Sequence, residues 1–333
     1  MYLKKSLRRI ITCMIFCALF CNFFVFAQNF ATQNMPKSKF YEGKVTYNQT
    51  LFPGDPIVLK LILTPKSKKI KKNIGLTQAT LYYFLTENPE KIIRTTKMYP
   101  INKAQQQKND VLMAMLPTSS FLEEGTYTLK IVFTPFLLSE EIFTTQVQVK
   151  SKEFVSETIP LNDSSTAIKT NYSKERLDQI NRLNKILETV NPDSIYETTS
   201  FTPPTPATRR TSFFADRRVF AYSNGKSSTS LHYGIDYGVP TGSEVRSCGR
   251  GKVVMAENRI STGWSVCIEH LPGLYSLYYH MSKLNVEVGQ IVEKGKLLGL
   301  SGSTGLATGP HLHWEVRLNI EAVNPDFFTE DFF

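Results

Sequence analysis

No low-complexity tract interrupts the 333 residues, and 18 glycines and 17 prolines are too few for a collagenous, mucin-like or wholly disordered chain. No clustered basic reader motif is present either. The formal charge is +10, but Lys4, Lys5, Arg8 and Arg9 belong to a segment that reads as removable; without them 35 basic residues face 29 acidic ones, a balance of +6. An excess that small, without a reader motif, argues against nucleic acid as a partner and for a solvated surface drawn to anionic wall polymer or lipid. Cysteine is scarce: three of five (Cys13, Cys17, Cys21) lie in that first segment, leaving Cys248 and Cys267. With a hairpin turn near Ile260 and Ser261, Cys267 falls opposite about Val254, so two buried thiols are expected and a disulfide is the alternative.

What is present fits globular protein. Hydrophobic residues make up 41%, aromatics 12% and charged residues 20%, over a length that exceeds one comfortable core, so two domains are expected. Residues 1–27 read as a signal peptide, with a basic start, an apolar run from Ile10 to Phe26 and small Ala27 before a cleavage point. An uncleaved anchor is the rival, because the run is just long enough to cross a bilayer core. Lipidation at Cys21 is weaker, since bulky Phe20 precedes it. An exported protein of the periplasm or extracellular envelope is expected, with membrane association, peripheral or through the N-terminus, left open.

From 40 to 154 the signals are for strands. Ile57, Leu59, Leu61 and Leu63 alternate, as do Tyr127, Leu129, Ile131 and Phe133, with turns at Pro53-Gly54-Asp55 and Glu124-Gly125. With no helical period between them, these runs predict a small antiparallel β-sandwich, similar to the immunoglobulin-like modules of exported bacterial proteins. The lysines at 66, 68, 69, 71 and 72 read as a solvated loop between strands. Residues 155–208 turn to Ser, Thr, Asn and Pro and read as a linker. One helix interrupts it at about 173–190, capped by Ser173, striped by Leu177, Ile180, Leu183, Leu187 and Val190, and stopped at Asn191-Pro192. Such a stripe docks on a domain. Thr202-Pro203-Pro204-Thr205-Pro206 predicts a stiff connection into a last domain over 209–333.

All five histidines fall within the last 102 residues. Around His232 and Asp236, glycines and Pro240 disfavour helix, so on an extended backbone their even spacing puts both side chains on one face. Pro310 to Val316 alternates as a strand, which points His311 and His313 the same way, roughly 7 Å apart. Two histidines and a carboxylate around tetrahedral Zn²⁺, with the fourth position open to water, form a catalytic arrangement, and further histidines can move the proton or hold an oxyanion.

The stretch from about Ser212 to Phe328 resembles the M23 family of zinc metallopeptidases, the lysostaphin and LytM type. The resemblance rests on Ser212-Phe213-Phe214-Ala215-Asp216-Arg217-Arg218, His232-x-x-x-Asp236, Tyr279-His280, Gly302-Ser303-Thr304-Gly305, Gly309-Pro310-His311-Leu312-His313 and Asn324-Pro325. It implies an antiparallel β fold, Zn²⁺ as cofactor, and hydrolysis of peptide bonds in peptidoglycan. It also implies that His232, Asp236 and His313 bind the metal and that His280 and His311 are catalytic. The alternative is a non-catalytic activator or adaptor of wall hydrolases on the same fold. Two departures, Phe213-Phe214-Ala215 in place of Phe-Gly and a longer approach over 219–230, bear on groove shape.

His270, before a Leu-Pro-Gly turn, reads as structural, and Leu312 and Trp314 as core. Glu315 returns to the histidine side, where a partner to the metal ligands and a solvated edge are equally open. Tyr222 and Tyr233 read as packing, with help to an oxyanion as the alternative, and the loop at 301–305 as the approach to the His311 strand rather than a phosphate cradle.

Overall fold

The computed structural model describes residues 30–101 and 108–332, so the expected signal peptide, with Cys13, Cys17 and Cys21, lies outside the described residues. The described chain is mainly β. Its N-terminal part pairs two five-stranded sheets. One runs Phe30–Asn34, Tyr41–Asn48, Ile57–Pro65, Asp110–Leu116 and Tyr99–Pro100, antiparallel throughout. The other runs Thr50–Leu51, Glu141–Val149, Gly125–Thr134, Gln78–Leu85 and Ile92–Lys97, with only the Thr50–Leu51 pairing parallel. The alternating residues expected inside are there: Leu59 and Leu61 meet Leu81, Leu129 and Ile131 in one core. The lysine run is not a plain loop, because Ser67 caps a short helix at Lys68–Lys71 that buries Ile70.

The first sheet buries its second face too. Val58, Met113 and Met115 join a different core, shared with Phe214, Tyr237 and Phe327 of the C-terminal part. The turn at Pro53-Gly54-Asp55 makes this contact close: Gly54 has φ +90°, and a Cβ there would lie 2.4 Å from the Phe214 ring. Asn324 completes the contact, its backbone N–H donating to Gly54 O and its Nδ2 to Asp55 Oδ1, both at 2.9 Å.

The C-terminal part is built on a ten-stranded antiparallel sheet whose central strands are Gly234–Tyr237, Leu312–Leu318, Leu274–Leu284, Gly263–Leu271 and Gly251–Arg259. One face carries Ile235, Val266, Tyr278, Leu312 and Trp314 into the main core, as expected for Leu312 and Trp314. The other carries Asp236, His313 and Tyr279, then Leu277, Cys267 and Met255 further along, because directly paired residues share a side. Helix Lys174–Leu187 lies over that apolar stretch with Leu183 and Leu187. It buries Gln179, Leu183 and Leu187 while Leu177 and Val190 stay exposed, a rotation from the expected stripe. Gln179 explains it, since its Oε1 accepts from Ile260 N at 2.8 Å and so caps the neighbouring hairpin turn.

Residues 155–208 hold more structure than their composition implies. Ser156–Pro160 adds a parallel strand to the hairpin of Arg217–Ala221 and Ser227–Leu231, and a second helix spans Asp163–Lys169. The Pro-rich stretch is strapped to the sheet, with Thr202 N donating to Cys248 O and Arg246 N to Pro204 O, each 2.8 Å. Cys267 pairs with Met255, one residue nearer the turn than the expected partner, because the turn holds three residues, 260–262, between the paired Arg259 and Gly263; both cysteines are buried free thiols.

Candidate metal centre

Strand register sets Asp236 directly opposite His313, and Tyr279 opposite His313 on its other side. His232 sits just before the Gly234–Tyr237 strand and reaches the same face. Its Nε2 lies 3.1 Å from Asp236 Oδ1 and 3.0 Å from His313 Nδ1, and His313 Nδ1 lies 2.9 Å from Asp236 Oδ1. All three residues are buried. Gly234 is what lets them close up, since a Cβ there would strike Trp314 O at 2.2 Å and His313 Nε2 at 2.9 Å.

The outer bonds decide what these atoms are. His232 Nδ1 donates to Phe213 O at 2.8 Å, so its Nε2 presents a lone pair. His313 Nε2 donates to Glu315 Oε2 at 3.3 Å, which leaves Nδ1 for the triangle. Asp236 Oδ2 accepts from Arg218 at 3.0 Å, so Oδ1 faces inward. Three ligand atoms about 3 Å apart are held together by a shared proton or by a cation that replaces it. Donors about 2.0–2.1 Å from tetrahedral Zn²⁺ stand about 3.3 Å apart, so the triangle fits zinc after opening by a few tenths of an ångström. Two imidazoles and a carboxylate are also a zinc set by chemistry.

The titration of the site has the same cause. Burial pulls His313 down, but its bonds to Asp236 and Glu315 outweigh that and raise it to about 9. Burial alone would raise Asp236; the His232 and His313 rings against its Oδ1 hold it well below the usual carboxylate range. Burial dominates at His232 and lowers it.

His280 and His311 stand beside this triangle with ring centroids 4.7 Å apart, and His311 Nε2 is 3.7 Å from Asp236 Oδ1. Each Nδ1 donates to a backbone carbonyl, His280 to Thr304 at 2.7 Å and His311 to Gly309 at 2.8 Å, leaving Nε2 free on both rings. Simple alternation would turn His280 away from Tyr279. A bulge between Tyr278 and Met281, with His280 at φ +60°, brings it round. Burial, with His311 and His313 nearby, pushes His280 down to about 3.

Several contributors had no assigned role in the sequence. Arg218 and the Phe213 carbonyl lie inside a quoted motif without a residue-level signal, and Thr304 serves through its backbone. Glu315, left open above, is fully engaged by His313 and Arg317. Tyr279 stacks on His313 with centroids 5.2 Å apart. Tyr222 bonds Ser228 Oγ, whereas Tyr233 lines a cavity of about 320 Å³ over the metal centre, together with His232, His280 and His311. His270 is remote, with Nδ1 on Arg250 O at 2.8 Å and Nε2 on Ser276 Oγ at 2.7 Å, so it is structural.

Residues 230–325 match the model of Peptidase family M23. The chain carries an M23 peptidase domain. Peptidoglycan DD-endopeptidase ShyA of Vibrio cholerae is 34% identical to it over 177 residues, 53% of this chain and 40% of that protein. DD-carboxypeptidase/endopeptidase Mpg of Neisseria meningitidis is 42% identical over 95 residues, 28% of this chain and 22% of that protein. The chain thus spans less than half the length of these curated relatives. A solved M23 peptidase structure from Pseudomonas aeruginosa covers 80% of this chain and all of its own, with a TM-score of 0.51 at 18% identity, so the likeness of fold extends beyond the M23 domain.

Proposed function

We propose that this protein is an exported zinc-dependent endopeptidase that hydrolyses peptide bonds in peptidoglycan cross-links. The observation that carries the reading is the triangle of His232 Nε2, Asp236 Oδ1 and His313 Nδ1, three inward-facing ligand atoms beside two histidines with free Nε2 atoms. His232, Asp236 and His313 would hold Zn²⁺, which when bound lowers the pKa of water and polarises a carbonyl. The DD-endopeptidase names of both relatives support peptidoglycan peptide as the substrate.

The catalytic work of the chain falls to His280 and His311. Their carbonyl bonds fix the tautomer that presents Nε2 as a base, so one can take the proton of the attacking water and return it to the leaving amine. The other, once it takes a proton from solvent on Nε2 and becomes an imidazolium, would donate to the oxygen of the scissile carbonyl as negative charge builds on it. Glu315 and Arg218 orient His313 and Asp236 and stay out of the proton path.

The test is zinc content by elemental analysis, together with release of soluble fragments from purified peptidoglycan, for the wild type, His313→Ala and His311→Ala. Stoichiometric zinc and chelator-sensitive release are expected, with release lost in both variants and zinc lost chiefly in His313→Ala. Zinc-free, inert wild-type protein would overturn the reading in favour of the adaptor.

A further inference from the structure

Strand Ser156–Pro160 lies well ahead of the M23 match, which begins at residue 230, yet its parallel register on Arg217–Ala221 sets Glu157 directly beside Arg218. The guanidinium of Arg218 is committed to three acceptors. Its Nε donates to Glu157 Oε1 at 2.9 Å, and its Nη2 donates to Asp236 Oδ2 at 3.0 Å and to Ser212 Oγ at 2.5 Å. Ser212 Oγ passes the chain on to Asp216 Oδ2 at 2.8 Å, which also accepts from Phe213 N at 2.8 Å, and Phe213 O takes the Nδ1 proton of His232. One cation therefore stands behind two members of the triangle, Asp236 directly and His232 through the Ser212–Asp216 turn. Apart from Asp236 itself, Glu157 is the carboxylate that pairs with this cation among the described residues.

We propose that Glu157 is a positioning residue of the metal centre, holding Arg218 so that Asp236 keeps Oδ1 turned inward, and that strand Ser156–Pro160 is thereby part of that centre rather than a linker. The assignment rests on the zinc reading of the triangle. A guanidinium is planar and rigid, so a bond that fixes Nε also fixes where Nη2 points. Charge adds a second effect. Arg218 brings a positive charge to the carboxylate that is to share its electrons with a divalent cation, and Glu157 offsets it. The strand has little else to hold it in this place: Ser156, Thr158 and Pro160 are exposed, and of the two side chains turned inward Ile159 lines the cavity while Glu157 meets Arg218.

The experiment uses the full chain and reads zinc affinity by competition with a chromophoric chelator for the wild type, Glu157→Gln, Arg218→Met and the double variant. Gln keeps the length of the side chain and an oxygen for Arg218 Nε, and removes the charge. Glu157→Gln should bind zinc about tenfold more weakly than the wild type. In the Arg218→Met background the same substitution should change nothing, because Glu157 acts through Arg218. Metal-free Glu157→Gln should unfold at the wild-type denaturant midpoint, since a half-exposed pair adds little to stability. That comparison decides the matter even where Arg218→Met does not fold: a midpoint that falls in step with zinc affinity marks a merely structural role and overturns the assignment. Unchanged affinity in Glu157→Gln, or an equal loss in both backgrounds, overturns it as well while leaving the zinc reading intact. A wild type that binds no zinc overturns the zinc reading and Glu157 with it.

Discussion

His313 donates through Nε2 to Glu315, two residues further along the same strand, and by that bond its Nδ1 becomes the atom that faces Asp236 at 2.9 Å. The carboxylate is itself held by Arg317, so the ring orientation is set by a charge pair inside the sheet.

Glu315→Gln keeps the shape of the side chain and removes its charge. Zinc affinity, read by competition with a chromophoric chelator, should fall about 10- to 100-fold. An unchanged affinity would mean that Glu315 serves only to pair Arg317.

His280→Ala should separate rate from metal. Peptidoglycan hydrolysis should drop by about 10²- to 10⁴-fold while zinc stays stoichiometric by elemental analysis, because His280 lies outside the triangle. Loss of zinc in step with rate would place His280 among the ligands.

Leu187→Ala probes the helix laid over the site-bearing face. Leu187 is 1% exposed against the Leu277 and Cys267 side of the sheet, so truncation should cost about 2–5 kcal/mol in denaturant unfolding. A cost below about 1 kcal/mol would show that the helix is held by Gln179 and by Arg176, whose Nε donates to Ser261 Oγ at 2.9 Å, rather than by apolar packing.

His270 predicts a pH dependence away from the metal. Burial lowers it from 6.5 to about 4, so the neutral ring contributes stability that is fully present above pH 6.5 and is lost as pH falls toward 4. The loss over that window is on the order of 3 kcal/mol. Unfolding of chelated wild type and His270→Gln at pH 7, 5.5 and 4 should show the gap between them narrowing with acid; a constant gap would refute the assignment.

The sequence by itself determined the strand content, the inward residues Leu59, Leu61, Leu129 and Ile131, the cap at Ser173, and the pairing of His311 with His313 on one face. Each depends on a period of two or on a local cap, and such signals are complete within a few residues. The motifs around His232, Asp236 and His313 likewise marked three residues that the fold gathers into one cluster. Only the tertiary structure decided how those atoms meet. Register across the Gly234–Tyr237 and Leu312–Leu318 strands set Asp236 against His313. The bulge that returns His280 to the site face and the second buried face of the N-terminal sheet at Val58 and Met113 depend on strands far apart in the chain. Glu157 had no signal at all, because its place beside Arg218 comes from a strand pairing between Ser156–Pro160 and Arg217–Ala221 that a Ser- and Thr-rich segment does not advertise. Pairing energy between distant strands belongs to both partners at once, and neither stretch of sequence carries it alone.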